Sequence, residues 1–154
     1  LVTHVCGSMA ALCEGEVLQD ECAANSTMTR QAYLDIIYKK TASLLGVSAS
    51  AGALAVSATR DKVATMRRFG EAVGMAFQIQ DDILDVTSTM EVLGKPIGSD
   101  EKNHKITYVT YEGIEKAKAD VASLSEQAIA RMDSLVVKNE YLTELLRYLI
   151  LREK

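Results

Sequence analysis

The chain has no tryptophan, only two phenylalanines and a single proline, Pro96, in 154 residues. With few backbone breakers and many Ala, Leu, Lys and Glu, a strand-and-turn architecture is excluded and an all-α protein expected. Positive charge is also in deficit, 17 Lys and Arg against 21 Asp and Glu, for a net charge of −4. No basic stripe offsets that excess, which argues against a nucleic-acid partner. Cysteine is scarce: Cys6, Cys13 and Cys22 form no CxxC or other metal spacing. Cys6 and Cys13 lie roughly 10 Å apart along one expected helix, too far to bridge. All three read as small buried hydrophobes in a reducing, cytoplasmic setting. A basic segment ahead of an apolar core is missing too, so no signal peptide is read at residues 1–12. The start at Leu1 rather than Met, inside a helical pattern, reads as a truncation. Residues 44–58 are small and apolar, but the run is short and dotted with serines. It reads as a close-packing helix face and not as a transmembrane segment. P-loop, dinucleotide and nucleophile-elbow signatures are absent, and His4 and His104 have no partners at ligand spacing.

What is present is helical periodicity. Residues 1 to about 22 place Val5, Met9, Leu12, Glu16 and Gln19 on one face. After a polar loop with N-cap candidates at 26–29, a second helix covers about 29–58. Its apolar stripe holds Tyr33, Ile36, Ile37, Leu44 and Val47, and Lys40 falls on that stripe. A third helix spans about 60–88, with Gly70 and Gly74 one turn apart to admit a close neighbour. Gly94, Pro96 and Gly98 punctuate 90–105. A charged amphipathic helix is expected over about 107–135. The last runs from Asn139 as N-cap to Arg152, with Tyr141, Leu145, Tyr148 and Leu149 as its buried face. No repeat or linker divides the chain, so residues 1–154 read as one domain.

The chemistry concentrates in Phe77-Gln78-Ile79-Gln80-Asp81-Asp82-Ile83-Leu84-Asp85. Asp81, Asp82 and Asp85 share an arc of about 100° on the third helix. Like charges at i and i+4 destabilise a bare helix, so a positive group is expected in front of them. Carboxylates with no His or Cys beside them suit a hard cation such as Mg²⁺. The following loop offers Lys95, Lys102 and Lys105 with flexible glycines. Carboxylate-held Mg²⁺ with nearby lysines is what a diphosphate requires, although a solvated loop could carry the same lysines. Lys40, on an apolar stripe, must either snorkel to water or meet an anion. Thr41 adds a hydroxyl beside it.

These residues resemble the trans-type polyprenyl diphosphate synthases, the farnesyl, geranylgeranyl and longer-chain enzymes. Gly70 and Gly74 through Asp85 look like the lead-in and second aspartate-rich motif, and Lys39-Lys40-Thr41 like the Lys-Thr element. Gly94-Lys95, Gly98-Ser99-Asp100 and Asn103 through Tyr108 look like the loop that follows. The resemblance implies a helical bundle of the isoprenoid synthase type and a Mg²⁺-dependent head-to-tail condensation of an allylic diphosphate with isopentenyl diphosphate. It implies Asp81, Asp82 and Asp85 on Mg²⁺, and Lys40 and Lys95 on the allylic diphosphate. Lys105 would assist with phosphate charge, while Thr41 and Gln78 would steady the carbocation or its diphosphate partner. Asp81-Asp82 is the only Asp-Asp pair in the sequence. The family's first aspartate-rich motif is therefore missing, and the chain resembles a C-terminal half. Exposed apolar faces are then expected to drive homodimerisation or association with a chain supplying the other half. A non-catalytic helical partner of a complete synthase is the alternative reading. A class I terpene cyclase ranks behind both, because Asp85 stands where its second motif needs Ser or Thr.

Overall fold

The computed structural model describes residues 1–87, 106–135 and 140–151, and every secondary-structure element among them is helical. The chain begins with α1 (Val2–Asn25). Its inward seam is Ser8, Gly15 and Cys22, one every seven residues. That corrects the expected face through Met9, which is 59% exposed. Small residues win the inward position because they let a neighbouring backbone close in, and the Ser8 hydroxyl donates to the Ser43 carbonyl at 3.0 Å. Cys6 and Cys13 fall on the far side and are exposed, so only Cys22 behaves as the buried hydrophobe expected of all three.

Thr29 starts the next helix as an N-cap, its side chain accepting from the Ala32 amide at 3.1 Å. Such a cap stabilises by about 1 kcal/mol. The single helix expected over 29–58 is three pieces. They are α2 (Arg30–Ile37), a π-helical turn (Tyr38–Ala42) and α3 (Ser43–Ala55). In the π turn the Ser43 amide donates to the Tyr38 carbonyl, five residues back. The extra residue advances the register, so Ala42, Ser43, Gly46 and Val47 face inward while Leu44 is left 38% exposed.

The central element is α4 (Arg60–Thr87), packed chiefly against α3 and α6 (Ile114–Asp133). Gly70 and Gly74 do admit the neighbour. A Cβ on Gly70 would lie 2.4 Å from the Leu45 carbonyl oxygen, and one on Gly74 2.5 Å from Ala42 Cα. Around the aspartates the core is Tyr33, Ile37, Ala76, Ile79, Ile83, Tyr108, Ala117 and Val121. A second cluster at the N-terminal half of α4 joins Phe69 and Ala72 to Ala128, Met132 and Leu146.

The helix expected over 107–135 breaks at Gly113, whose φ of 76° only glycine adopts readily, leaving α5 (Tyr108–Glu112) ahead of α6. The last helix, α7 (Glu140–Leu151), buries Leu146, whereas Tyr141 and Tyr148 are 72% and 69% exposed. The expected face through the tyrosines is thus corrected. Its apolar arc is wide, and Leu142 and Leu146 take the inward position while the amphipathic tyrosines at the edge of that arc keep their hydroxyls in water. Asn139 and Arg152 lie outside the described residues. No helix among the described residues is long and apolar enough to cross a membrane.

Candidate active site

The π turn sets the site. Widening the helix there delivers Lys40 and Thr41 to a cavity of about 190 Å³ between α1, α2 and α4. Its lining combines the polar side chains Gln19, Lys40, Thr41 and Gln78 with the apolar Met28, Ile36, Ile37 and Ile106, and Tyr33. The Thr41 hydroxyl donates to Gln78 Oε1 at 3.3 Å, joining the π turn to α4 one turn ahead of Asp82.

Lys40 answers the question its position raised: it meets an anion. Its Nζ lies 2.5 Å from Glu16 Oε2 and donates to Gln19 Oε1 at 2.6 Å, both on α1. Glu16 is 56% exposed, so this ion pair is well solvated and weak, within about 1 kcal/mol. Lys39 pairs instead with Glu14 at 3.0 Å on the outer side. Gly15 makes this geometry possible, since a Cβ there would stand 2.8 Å from Lys40 Cγ and 2.9 Å from Lys39 Cβ. A Gly15→Ala variant is therefore expected to lose about 1–3 kcal/mol of stability by overpacking and to push the Lys40 stem aside. Thermal melting together with pyrophosphate titration measures both effects.

Asp81 is half-buried, while Asp82 and Asp85 are each 2% exposed. The Asp82 carboxylate oxygen Oδ2 accepts from the Tyr33 hydroxyl and from the Tyr108 amide, the latter at 2.8 Å. Tyr108 continues the network outward. Its hydroxyl donates to Asp120 at 2.8 Å, Lys116 pairs with that carboxylate at 2.5 Å, and the Arg30 guanidinium lies over the ring at 5.9 Å. Burial, followed by the bond to Asp120 and its negative charge, pushes the Tyr108 phenol up to about 12, with Arg30 opposing. Because the folded value is raised, this stabilisation is whole below pH 10 and is lost as pH rises through about 12. Spectrophotometric titration should show one tyrosine fewer ionising by pH 11 in the native protein than in Tyr108→Phe plus free tyrosine controls scaled to the same count.

Among the described residues no three His, Cys, Asp or Glu side chains converge into a group able to hold a metal. The donor chemistry still fits Mg²⁺ in part, because that ion takes one or two carboxylates and fills its shell with water and substrate phosphates. Lys95 and Lys105, the expected phosphate-binding lysines, lie outside the described residues. Sequence reasoning left open which of Glu14 and Glu16 lines a polar pocket, and it did not assign Gln19, Tyr33 or Tyr108 to the site. The available signal for Gln19 was a polar residue beside Glu16 on an otherwise apolar helical stripe.

Residues 1–146 match the family model described as polyprenyl synthetase. The chain belongs to the polyprenyl synthetase family. Within this family it is 38% identical over 113 residues to the "Short chain isoprenyl diphosphate synthase" of Methanothermobacter thermautotrophicus. That match covers 73% of this chain and 35% of the relative. It is 37% identical over 132 residues to "Heptaprenyl diphosphate synthase component 2" of Geobacillus stearothermophilus, covering 84% and 41%. The crystal structure of heptaprenyl diphosphate synthase from Staphylococcus aureus superimposes with a TM-score of 0.91 at 27% identity. It is matched over 99% of this chain and 59% of that one. The helical bundle is therefore of the isoprenoid synthase type. This family member spans between about a third and two-fifths of the length of those two sequence relatives.

Proposed function

We propose that this chain is the diphosphate-binding part of a prenyltransferase of isoprenoid biosynthesis, acting in the cytoplasm. Its substrates would be an allylic diphosphate and isopentenyl diphosphate. The observation that carries this reading is the cavity itself, lined by a lysine, a hydroxyl and two amides together with aliphatic side chains, with the aspartates on the next turn of α4 after Gln78. A prenyl diphosphate has the same two-part chemistry.

In this reading Lys40 exchanges Glu16 for a phosphate oxygen and neutralises part of the leaving group's charge. Thr41 and Gln78 orient that group, and Lys95 and Lys105 add positive charge. On the aspartate turn of α4, Asp81 and Asp85 supply the negative field that draws Mg²⁺, which when bound would contribute Lewis-acid charge stabilisation. The apolar side chains of Ile36, Ile37 and Met28 in the lining keep water from the allylic carbon, so that the double bond of isopentenyl diphosphate, not water, captures the cation.

The test combines intact mass with an assay using labelled isopentenyl diphosphate, farnesyl diphosphate and Mg²⁺. A chain extended to the family's length is expected to form product, and the 154-residue chain to bind Mg²⁺-pyrophosphate without turnover. Failure of both would overturn the reading. A second reading, a non-catalytic helical partner of a complete synthase, is favoured by one observation. Val2, Met9 and Val17 on α1 are 76%, 59% and 57% exposed, an apolar face of the kind that normally finds a partner. Either reading expects homodimerisation or association with a second chain. A monodisperse monomer by sedimentation at micromolar concentration would count against both.

A further inference from the structure

Resting on the proposed prenyltransferase reading, we infer that Asp82 is a positioning residue, distinct in role from Asp81 beside it: one of its carboxylate oxygens clamps α2 and α5 to α4 and thereby fixes the cavity wall. The two donors converge on a single atom. Tyr33 on α2 gives its hydroxyl to Asp82 Oδ2, and the first amide of α5, that of Tyr108, gives its proton to the same oxygen at 2.8 Å. All three residues are nearly inaccessible, at 2%, 4% and 3% exposure, and the two tyrosine rings pack with centroids 6.2 Å apart. A carboxylate in such a place is stabilised by its donors, and bonds to a charged acceptor are the stronger kind.

The clamp acts on the cavity through each of its arms. Tyr33 itself lines the cavity, Gln78 lines it one turn before Asp82, and Ile106 lines it two residues before Tyr108. A second bond reinforces the same junction, since the Tyr111 hydroxyl on α5 donates to the Met28 carbonyl at 2.6 Å, and Met28 also lines the cavity. Releasing Oδ2 would therefore loosen three sides of the cavity together without removing any group that touches a diphosphate.

The distinction from a metal ligand is testable because Asn retains one acceptor oxygen and loses the charge. Four variants, Asp82→Asn, Asp82→Ala, Tyr33→Phe and Asp81→Asn, are compared by two measurements on the 154-residue chain. One is hydrogen exchange at the Tyr108 amide without metal. The other is titration of inorganic pyrophosphate in the presence of Mg²⁺. Asp82→Asn is expected to keep Tyr108 protection within about tenfold and pyrophosphate affinity within about threefold, the range of a modest hydrogen-bond change. Asp82→Ala should speed Tyr108 exchange by more than tenfold, Tyr33→Phe should do so to a smaller extent, and Asp81→Asn should leave it unchanged while weakening pyrophosphate. Loss of affinity in Asp82→Asn equal to that in Asp81→Asn would overturn the inference, as would unchanged Tyr108 exchange in Asp82→Ala. If the native chain binds no Mg²⁺-pyrophosphate, diphosphate binding by this chain alone fails, and the exchange measurement still decides whether Asp82 is the clamp.

Discussion

An Asp81→Ala substitution, made in a chain extended to the family's length, is expected to lower turnover by roughly 10²–10³-fold, the usual loss when one preorganised electrostatic group is removed. The fold should survive. Asp81 is only half-buried, and it stands one turn from Asp85, where two like charges oppose the helix by about 0.2–0.5 kcal/mol. Deleting it relieves that repulsion and opens no large cavity, so the melting temperature should move by no more than a few degrees. Steady-state kinetics across a Mg²⁺ series, with circular dichroism melts alongside, separates the two effects. The loss should be larger at low Mg²⁺ and partly recovered at high Mg²⁺. Near-normal activity at every Mg²⁺ concentration would remove Asp81 from the metal assignment.

The aspartate turn and the Lys-Thr pair were legible because each violates a helix rule in sequence. Adjacent carboxylates recur at i+4, and a lysine interrupts an apolar stripe. The continuity of α4 was legible for the opposite reason, since nothing within residues 60–87 breaks a helix. What escaped was phase. A π turn changes the number of residues per turn without changing composition, so Tyr38–Ala42 gave no warning that Ser43 would face inward in place of Leu44. The seam of α1 escaped because hydrophobicity was used to choose a face, while the structure chose by size, placing Ser8, Gly15 and Cys22 inward. On α7 the apolar arc is wide enough to hold both Leu146 and Tyr141, and only tertiary packing decides between them. The Asp82 clamp joins residues 49 and 26 positions apart, a pairing that local periodicity does not encode.

Gly70→Ala should be the most damaging single-methyl addition in the described helices. The new Cβ would meet the Leu45 carbonyl oxygen at 2.4 Å and Gly46 Cα at 2.8 Å, both backbone atoms of α3 that cannot rotate away. Overpacking against side chains typically costs 1–3 kcal/mol, and a backbone collision belongs at or beyond the upper end, about 3 kcal/mol or more. At about 2–4 °C per kcal/mol for a chain of this size, the melting temperature should fall by roughly 10 °C. Gly52→Ala is the internal control, because it also lies in a helix but its Cβ would have no neighbour within 4 Å. Propensity alone then applies, and it should gain about 0.5–1 kcal/mol. Opposite signs from the same chemical change would show that α3 and α4 are held at glycine distance. Gly74→Ala adds the functional link, since its Cβ would stand 2.5 Å from Ala42 Cα, at the end of the π turn. It should lower stability as Gly70→Ala does and also weaken Mg²⁺-pyrophosphate binding, because Lys40 and Thr41 would move with that turn. Equal losses of stability in both variants with binding weakened only in Gly74→Ala would place control of the diphosphate wall at this contact. Unchanged binding in Gly74→Ala would detach the π turn from ligand recognition.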